Sequence, residues 1–561
     1  MPQLPRWAAV FLIPGLLAAV VFLQAGRFRA STSATYDETI YLHMSEDVYR
    51  GGSFSNMVNL AVPPLPLLLT GWLAAASDAH YPSTTEEEPR LISRSRLLAC
   101  LLIGIPLVIA VYALIYRLHG WVIGALAAGL TAFSPTILAH SSVATTDGCF
   151  ALFSVLALAA LSHYCAQPTR GRFLLMSVCI GLALASKQSA VFLFVIAAGC
   201  LGYLKWNLES RVSEPSRPHT KLKRGSSARQ PQSNRALTLP ALRRIIAGVT
   251  GQLLVMVAIA FLVLWALYGF TMVRVPQLGD EVLPAPVVGV AGQLIFHNQL
   301  GQPAFLLGEL SNHGWWYFFP VAFVLKSTPA ELMLLLVALV AMVWNRRRLT
   351  TDTLLPAVAF VTFFGFCMIS GINSGQRYLL VVYPLLFIWA ANALMGPHTR
   401  RLAAPVLILL FGCQVVSAAA IMPDYLSYFP SYVGGPAQGY RYLVDSSLDW
   451  GQDLPALRTT LEQRHYTKVL FAYFGTASPA AYGLRAAPWR TATDAEVAAC
   501  DWVAISATEL QGVYGSRAQF SPFRSLAPTA RAGYTIFLYD LSDPAVRSAL
   551  REARAIKSKS R

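Results

Sequence analysis

The chain has 561 residues, of which 55% are hydrophobic and only 13% charged, with a mean hydropathy of +0.50. The hydrophobic content and mean hydropathy lie far above the globular average and the charged share well below it, which excludes an ordinary soluble enzyme; they describe a polytopic membrane protein. The net charge of +16 is what such a protein gathers on one side for topological reasons, so nucleic acid is not an expected partner.

Stretches of about 20 apolar residues can cross the hydrocarbon core as helices. Eleven are expected, at 7–24, 93–116, 121–138, 147–165, 172–186, 188–204, 245–268, 319–344, 353–371, 378–395 and 402–421. The first is longer than most signal-peptide apolar cores and reads as a retained anchor. The fifth and sixth are short, and Ser186-Lys187 between them fits a bent helical hairpin as well as a connection.

Between the first two spans, Tyr36–Pro66 opens with adjacent carboxylates, Asp37 and Glu38, in a chain poor in acidic residues. The pair follows one span and precedes the helix-breaking Val62-Pro63-Pro64, which puts it on a surface loop within an outer loop 25–92. Two readings stay open from these residues. They are solvated, capping a short amphipathic helix through Ile40, Tyr41 and Met44, or they supply the base of a membrane enzyme acting on a lipid-linked substrate. The next apolar run, Pro64–Ala76, is too short to span and is expected to lie at the interface.

Orientation follows from the basic residues of the connections. With a cytoplasmic amino terminus, the inner connections carry Arg117, then Arg170 and Arg172, then the segment 205–244, then Arg346-Arg347-Arg348 and finally Arg400-Arg401. The segment 205–244 is polar and basic and is expected to be a flexible cytoplasmic loop. The same sorting puts Asp37, Glu38, the Ser134–Asp147 connection, Lys187, the outer loop 270–318, Asn373–Arg377 and everything from 423 onward on the outer face.

After Ile421 the apolar runs shrink to strand length. Lys468–Phe474, Trp502–Ser506 and Tyr534–Tyr539 read as strands, Leu454–Arg464 and Pro544–Arg554 as helices. The expected organisation is a membrane domain, 1–422, and an extracytoplasmic soluble α/β domain, 423–561. Seven of the eight cysteines lie in or beside apolar segments, and no Cys/His spacing suggests zinc. No metal or cofactor is expected.

The polar landmarks, in order, are Tyr36-Asp37-Glu38, Val62-Pro63-Pro64-Leu65, Arg96, SPTILAHSSVATTD ending at Asp147, LALASK ending at Lys187, FLLGELSNHGWWYFFP with Lys326 beyond it, GINSGQRYL around Arg377, and GGPAQGYRYLVDSSLDWGQDL from Gly434 to Leu454. Over roughly 34–455 this series resembles the protein O-mannosyltransferase family and its bacterial relatives, polytopic glycosyltransferases of the GT-C fold. The resemblance implies a transferase that moves a sugar from a polyprenyl-phosphate donor to an acceptor at the outer membrane face, the acceptor being a protein hydroxyl or a lipid or glycan. It also implies that the acidic residue of the first outer loop is the base, which falls on Asp37 with Glu38 beside it. One departure stands out: the family's usual His before Pro-Pro-Leu is Val62 here.

Attack on an anomeric carbon that expels a lipid phosphate needs a carboxylate near the nucleophile and fixed cations near the departing phosphate. Arg96, Lys187 and Arg377 are the candidates for the second role, because an ionisable residue at membrane depth is expensive and usually functional, the alternative being that they snorkel to the surface. Asp147 is read as a partner of one of these cations or an acceptor-orienting group, or else as a helix cap. Trp315 and Trp316, with Glu309 and His313 nearby, form either an interfacial aromatic belt or a surface for a sugar or isoprenoid. Asp445 and Asp449 read as scaffold rather than a metal site. Lipid A- or polysaccharide-modifying transferases are the nearest alternative, and a lipid-linked substrate transporter or flippase is a further one.

Overall fold

Two proline-led breaks govern how the helices stack. Ser134 is extended and followed by Pro135, and its side chain accepts from the Ile137 N–H, so the helix Trp121–Ala132 stops and Pro135–Ser141 sets off at 67° to it. Thr328 and Pro329 do the same farther on, with a Thr328–Glu331 capping box, and Phe318–Lys326 meets Pro329–Trp344 at 117°. Both breaks meet on one buried carboxyl. Glu331 accepts from the Ser134 hydroxyl at 2.6 Å, the Thr328 N–H at 2.8 Å and the Gln414 amide at 2.9 Å. Polar groups freed inside an apolar bundle are thereby satisfied, as they must be where no water reaches.

The computed structural model describes residues 5–76, 87–212, 239–275, 281–292, 301–465 and 468–559. Among them, eight helices are long and apolar enough to cross a membrane, or ten if each bent pair counts as one span. The chain is therefore a mostly helical, multi-pass membrane protein with a sheet-containing carboxyl-terminal region. Eleven spans were expected. The difference lies at 172–186, where the helix Arg170–Ser186 has 17 residues and, at 1.5 Å per residue, reaches only about 25 Å. The stretches 121–138 and 319–344 each hold a sharp break in place of one straight helix. The apolar run after Val62 forms the 12-residue helix Pro64–Ala75, half buried against its neighbours. Most of the expected basic loop 205–244 lies outside the described residues; its flanks are helical, ending at Val212 and resuming at Leu239.

The bundle has two chemically distinct ends. At one, Asp147, Lys187 and Arg377 come together. At the other, Asp352 accepts from Ser162 at 2.9 Å and its carbonyl from Asn392 at 2.8 Å, while the Asn392 amide oxygen meets His119 at 2.7 Å. That second end also bears the arginine turn Arg346–Arg348.

Among its described residues the region 270–318, expected as a loop, contains two antiparallel strand pairs, Met272–Val275 with Glu281–Pro284 and Ala304–Leu306 with Glu309–Ser311. Beyond Ile421 the chain runs through short 3-10 turns against the bundle before a five-stranded sheet in the order Ala486–Pro488, Val469–Ala472, Trp502–Ser506, Ile536–Asp540, Ala530–Ala532. The first three strands pair in parallel and the last two pairings are antiparallel. The three expected strands and two expected helices are present; Ala486–Pro488 and Ala530–Ala532 are additional edge strands. One face of the sheet, through Val469, Phe471 and Trp502, shares a core with Leu42, Ala74, Leu91 and Ile92 of the membrane-side helices.

Candidate active site

The carboxylate pair sits on the first turn of the helix Tyr36–Gly51, not on a loop. Thr35 is extended and Glu38, three residues on, closes a capping box with it, accepting from the Thr35 N–H at 2.8 Å and its hydroxyl at 3.0 Å. Successive helical residues point about 100° apart, so Asp37 and Glu38 face different surroundings.

Glu38 turns inward. Arg96 donates to both of its carboxylate oxygens, at 2.8 and 2.7 Å, and the Ala144 N–H adds a bond of 2.9 Å. The remaining Arg96 donors go to the Thr32 carbonyl and hydroxyl and to the Ser33 carbonyl. All five guanidinium N–H groups are thus engaged, and the two side chains are 0% and 1% exposed. Burial would raise the Glu38 pKa, but the Arg96 charge and the hydrogen bonds outweigh it and hold the carboxyl below its ordinary range. Two expectations are corrected here. Glu38 has no free face for a substrate proton, and Arg96 has no N–H left for a phosphate; together they clamp the start of the helix Tyr36–Gly51 to the helix Glu88–Ala99.

Asp37 turns toward the cations. Arg377 pairs with it, and the same Nη1 lies 3.7 Å from Asp147 Oδ2, while Lys187 pairs with Asp147 Oδ1. The result is an alternating row, Asp37, Arg377, Asp147, Lys187, drawn from four separate segments. Local structure explains each position. Asp147 is in the first turn of Thr146–Ala166, where the helix dipole favours an anion, and Lys187 caps the carboxyl end of Arg170–Ser186, where it favours a cation. Arg377 rides a 3-10 turn held by residues beyond the helix Arg400–Ile421, since the Gln376 N–H donates to Ser447 Oγ at 2.9 Å and Ser446 Oγ to the Ser374 carbonyl at 3.1 Å. Gly375 must be glycine for this fit, because a Cβ there would strike the Ser446 side chain. Asp147 is 1% exposed, whereas Asp37, Lys187 and Arg377 are 18%, 15% and 12% exposed. Arg377 Nε and Asp147 Oδ2 are buried and make no hydrogen bond among the described residues.

Residues 93–221 match the family model of the dolichyl-phosphate-mannose-protein mannosyltransferases. The matched segment is under a quarter of the chain and includes Arg96, Asp147 and Lys187. No curated protein sequence matches the chain. Among solved structures it is similar to ArnT from Cupriavidus metallidurans bound to undecaprenyl phosphate, at 12% identity over 96% of this chain and 99% of that one, with a TM-score of 0.47. It is also similar to the archaeal oligosaccharyltransferase AglB from Archaeoglobus fulgidus in complex with an inhibitory peptide and a dolichol-phosphate, at 11% identity over 90% and 70% of the two chains, with a TM-score of 0.39.

Aromatic rings frame the row, and these the sequence reading passed over although they lie inside the quoted motifs. Lys187 Nζ sits 4.0 Å from the Tyr378 ring centre and Arg377 Cζ 4.4 Å from that of Trp450, which also meets the His140 ring edge-on. Their only signal was position, one residue after Arg377 and one after Asp449. A second group lies beside Asp37, where Tyr36 stacks on Phe474 at 5.2 Å and Phe474 on Tyr514 at 5.3 Å, so the carboxyl-terminal region reaches the site. Val62 is buried, its carbonyl accepts from Tyr268, and the carbonyl of Ala61 accepts from Gln188, next to Lys187.

Of the aromatic loop, Trp315 is half-buried and its N–H donates to Asn373 Oδ1 at 2.6 Å, while Phe319 packs on Tyr378. Glu309, His313 and Trp316 are exposed, and among the described residues no hydrogen bond or ion pair joins their side chains to the row. Lys326 is buried against Phe429 and donates to the carbonyls of Leu426 and Ser447. Asp449 accepts from the Thr508 N–H at 2.7 Å, and Asp453 from the N–H groups of Tyr534 and Thr535. Asp445 accepts from the Tyr514 hydroxyl and the Ser446 N–H. Burial pushes Asp445 up to about 6 and Asp449 up to about 7. These carboxyls tie the carboxyl-terminal region together; among the described residues no three His, Cys, Asp or Glu side chains gather as metal ligands would.

Proposed function

We propose that the chain is a GT-C glycosyltransferase that moves a sugar, mannose by the family pattern, from a polyprenyl-phosphate donor to an acceptor hydroxyl, a protein Ser or Thr, at the outer face of the cell membrane. The carrying observation is the row itself: a part-exposed carboxylate, Asp37, beside two part-exposed cations, with Arg377 Nε and Asp147 Oδ2 making no hydrogen bond among the described residues. The family match over 93–221 supports the reaction class.

In this reading the donor phosphate meets Arg377 and Lys187, which stabilise the charge that builds on the leaving oxygen. Asp147 holds the two cations at their spacing. An anion arriving at Arg377 competes with Asp37 for the guanidinium, freeing Asp37 to accept the proton of the acceptor hydroxyl. The acceptor oxygen bonds to the anomeric carbon, the bond from that carbon to the phosphate oxygen breaks, and the lipid phosphate departs. A single displacement of this kind inverts the anomeric configuration. Trp315, Trp316, Glu309 and His313 are proposed to lie on the substrate's approach, with Phe319 linking that loop to Tyr378.

Val62, where the family has His, favours a second reading, a transferase acting on lipid A or a polysaccharide, because an acceptor contact supplied by an imidazole is missing. The transporter reading is weaker, since the ionic row sits at one end of the bundle and not at mid-depth on paired broken helices.

The deciding experiment is transfer by Asp37→Asn in nanodiscs. Turnover should fall roughly 10²–10⁴-fold with donor affinity retained, and near wild-type turnover refutes the assignment. Orientation is tested with a cysteine introduced at Ser226: labelling by an impermeant reagent in intact cells overturns the outer-face site.

A further inference from the structure

The end of the bundle opposite the ionic row carries a cleft of about 840 Å³. Its two walls differ in chemistry. One is the outward stripe of Pro329–Trp344, where Val340, Val343 and Trp344 are 49%, 65% and 61% exposed. The other is the arginine turn Arg346–Arg348 together with His398, all exposed and without an ion-pair partner among the described residues.

The cleft is built, not accidental. Asn345 is buried between the two loops, donating to the Ala341 and Ala393 carbonyls and to Thr399 Oγ1 at 2.9 Å, while its oxygen accepts from the His398 N–H at 3.1 Å. Gly396 packs flush against it, where a Cβ would strike the Asn345 amide. This knot fixes the backbone of the turn that carries three arginines at the mouth of an apolar wall, which continues into the membrane-facing side of a spanning helix. An occupant must carry an anionic, bidentate-accepting head and an apolar tail at once.

We propose that this cleft binds the headgroup of an anionic diacyl phospholipid, its phosphate on Arg346–Arg348 and His398 and one acyl chain along Val340, Val343 and Trp344. Charge complementarity selects the anionic lipid over a zwitterionic one. A membrane phospholipid is chosen over a polyprenyl phosphate because the cations that suit the latter stand at the other end of the bundle.

The test is native mass spectrometry of the full chain in neutral detergent, titrated with phosphatidylglycerol, phosphatidylcholine, a polyprenyl phosphate or inorganic phosphate. Phosphatidylglycerol should be retained at least tenfold better than phosphatidylcholine, and the combined Arg346→Ala, Arg347→Ala, Arg348→Ala variant should weaken it on the order of 100-fold. Equal retention of the two phospholipids, an unchanged variant, or full displacement by inorganic phosphate or the polyprenyl phosphate overturns the proposal. If that variant does not fold, a photoactivatable phosphatidylglycerol decides on the unaltered protein: crosslinks should fall within residues 333–348, and crosslinks only elsewhere refute the site.

Discussion

Asp37 and Glu38 are neighbours in sequence and opposites in the structure. Glu38 and Arg96 form a closed pair in which every donor has a partner and neither side chain meets solvent. Asp37 and Arg377 form an open pair, both part-exposed, with a third charge, Asp147, 3.7 Å from the same guanidinium and donor capacity left over. The closed pair fixes geometry and the open one can exchange partners. The difference comes from one helical step of rotation, which aims one carboxyl into the protein and the other along the row.

The sharpest way to break this contrast is to remove one cation from each pair. Arg96→Ala strands a buried carboxylate and should destabilise the protein by about 3–5 kcal/mol, read as lost thermal stability in detergent, whereas a small loss would mean that Glu38 relaxes to solvent and the clamp is not closed. Arg377→Ala, whose partner Asp37 is part-exposed, should cost less stability than Arg96→Ala, as should Lys187→Ala, which leaves Asp147 still facing Arg377; each should weaken donor binding by about 1.5–3 kcal/mol, measured by titration with the polyprenyl-phosphate donor, and unchanged affinity in both removes the row from the donor site. Thr35→Ala removes the hydroxyl of the capping box but no charged group and should reduce stability by about 0.5–2 kcal/mol, with donor affinity unaltered. A fall in affinity would show that the clamp and the row are not independent.

The smallest effect concerns pH. Asp449 is pushed up to about 7 by burial, so it binds a proton more readily folded than unfolded. Its contribution is therefore fully present below the ordinary carboxyl range and is lost as pH rises through about 7. Melting followed from pH 5 to 8 should decline with rising pH, and Asp449→Asn should flatten that decline by about 1–2 °C; an unchanged slope would assign the pH response to other groups.

Much of the fold was legible because its signals are local. Hydropathy over about 20 residues marks a span wherever it lies, and an apolar run of strand length marked Trp502–Ser506 as a buried strand, while Leu454–Arg464 read as a helix, found at Leu454–Gln463. The breaks at Ser134 and Thr328 were less visible, since averaging over a window hides a single proline between two apolar runs. The edge strands Ala486–Pro488 and Ala530–Ala532 have three residues each, too few for a pattern.

By itself, then, the sequence determined that the chain crosses a membrane many times, that its basic turns gather at one end of the bundle, and that Asp37, Asp147, Lys187 and Arg377 stand at segment ends where charge is costly unless used. Only the tertiary structure decided which carboxylate of the pair is open, that Arg96 is spent on Glu38, and that Trp450 and Tyr378 frame the cations. The reason is distance along the chain: Glu38 meets Arg96 across 58 residues and Asp37 meets Arg377 across 340. A side chain's partner at such separations is set by how the helices pack, which no local pattern of residues encodes.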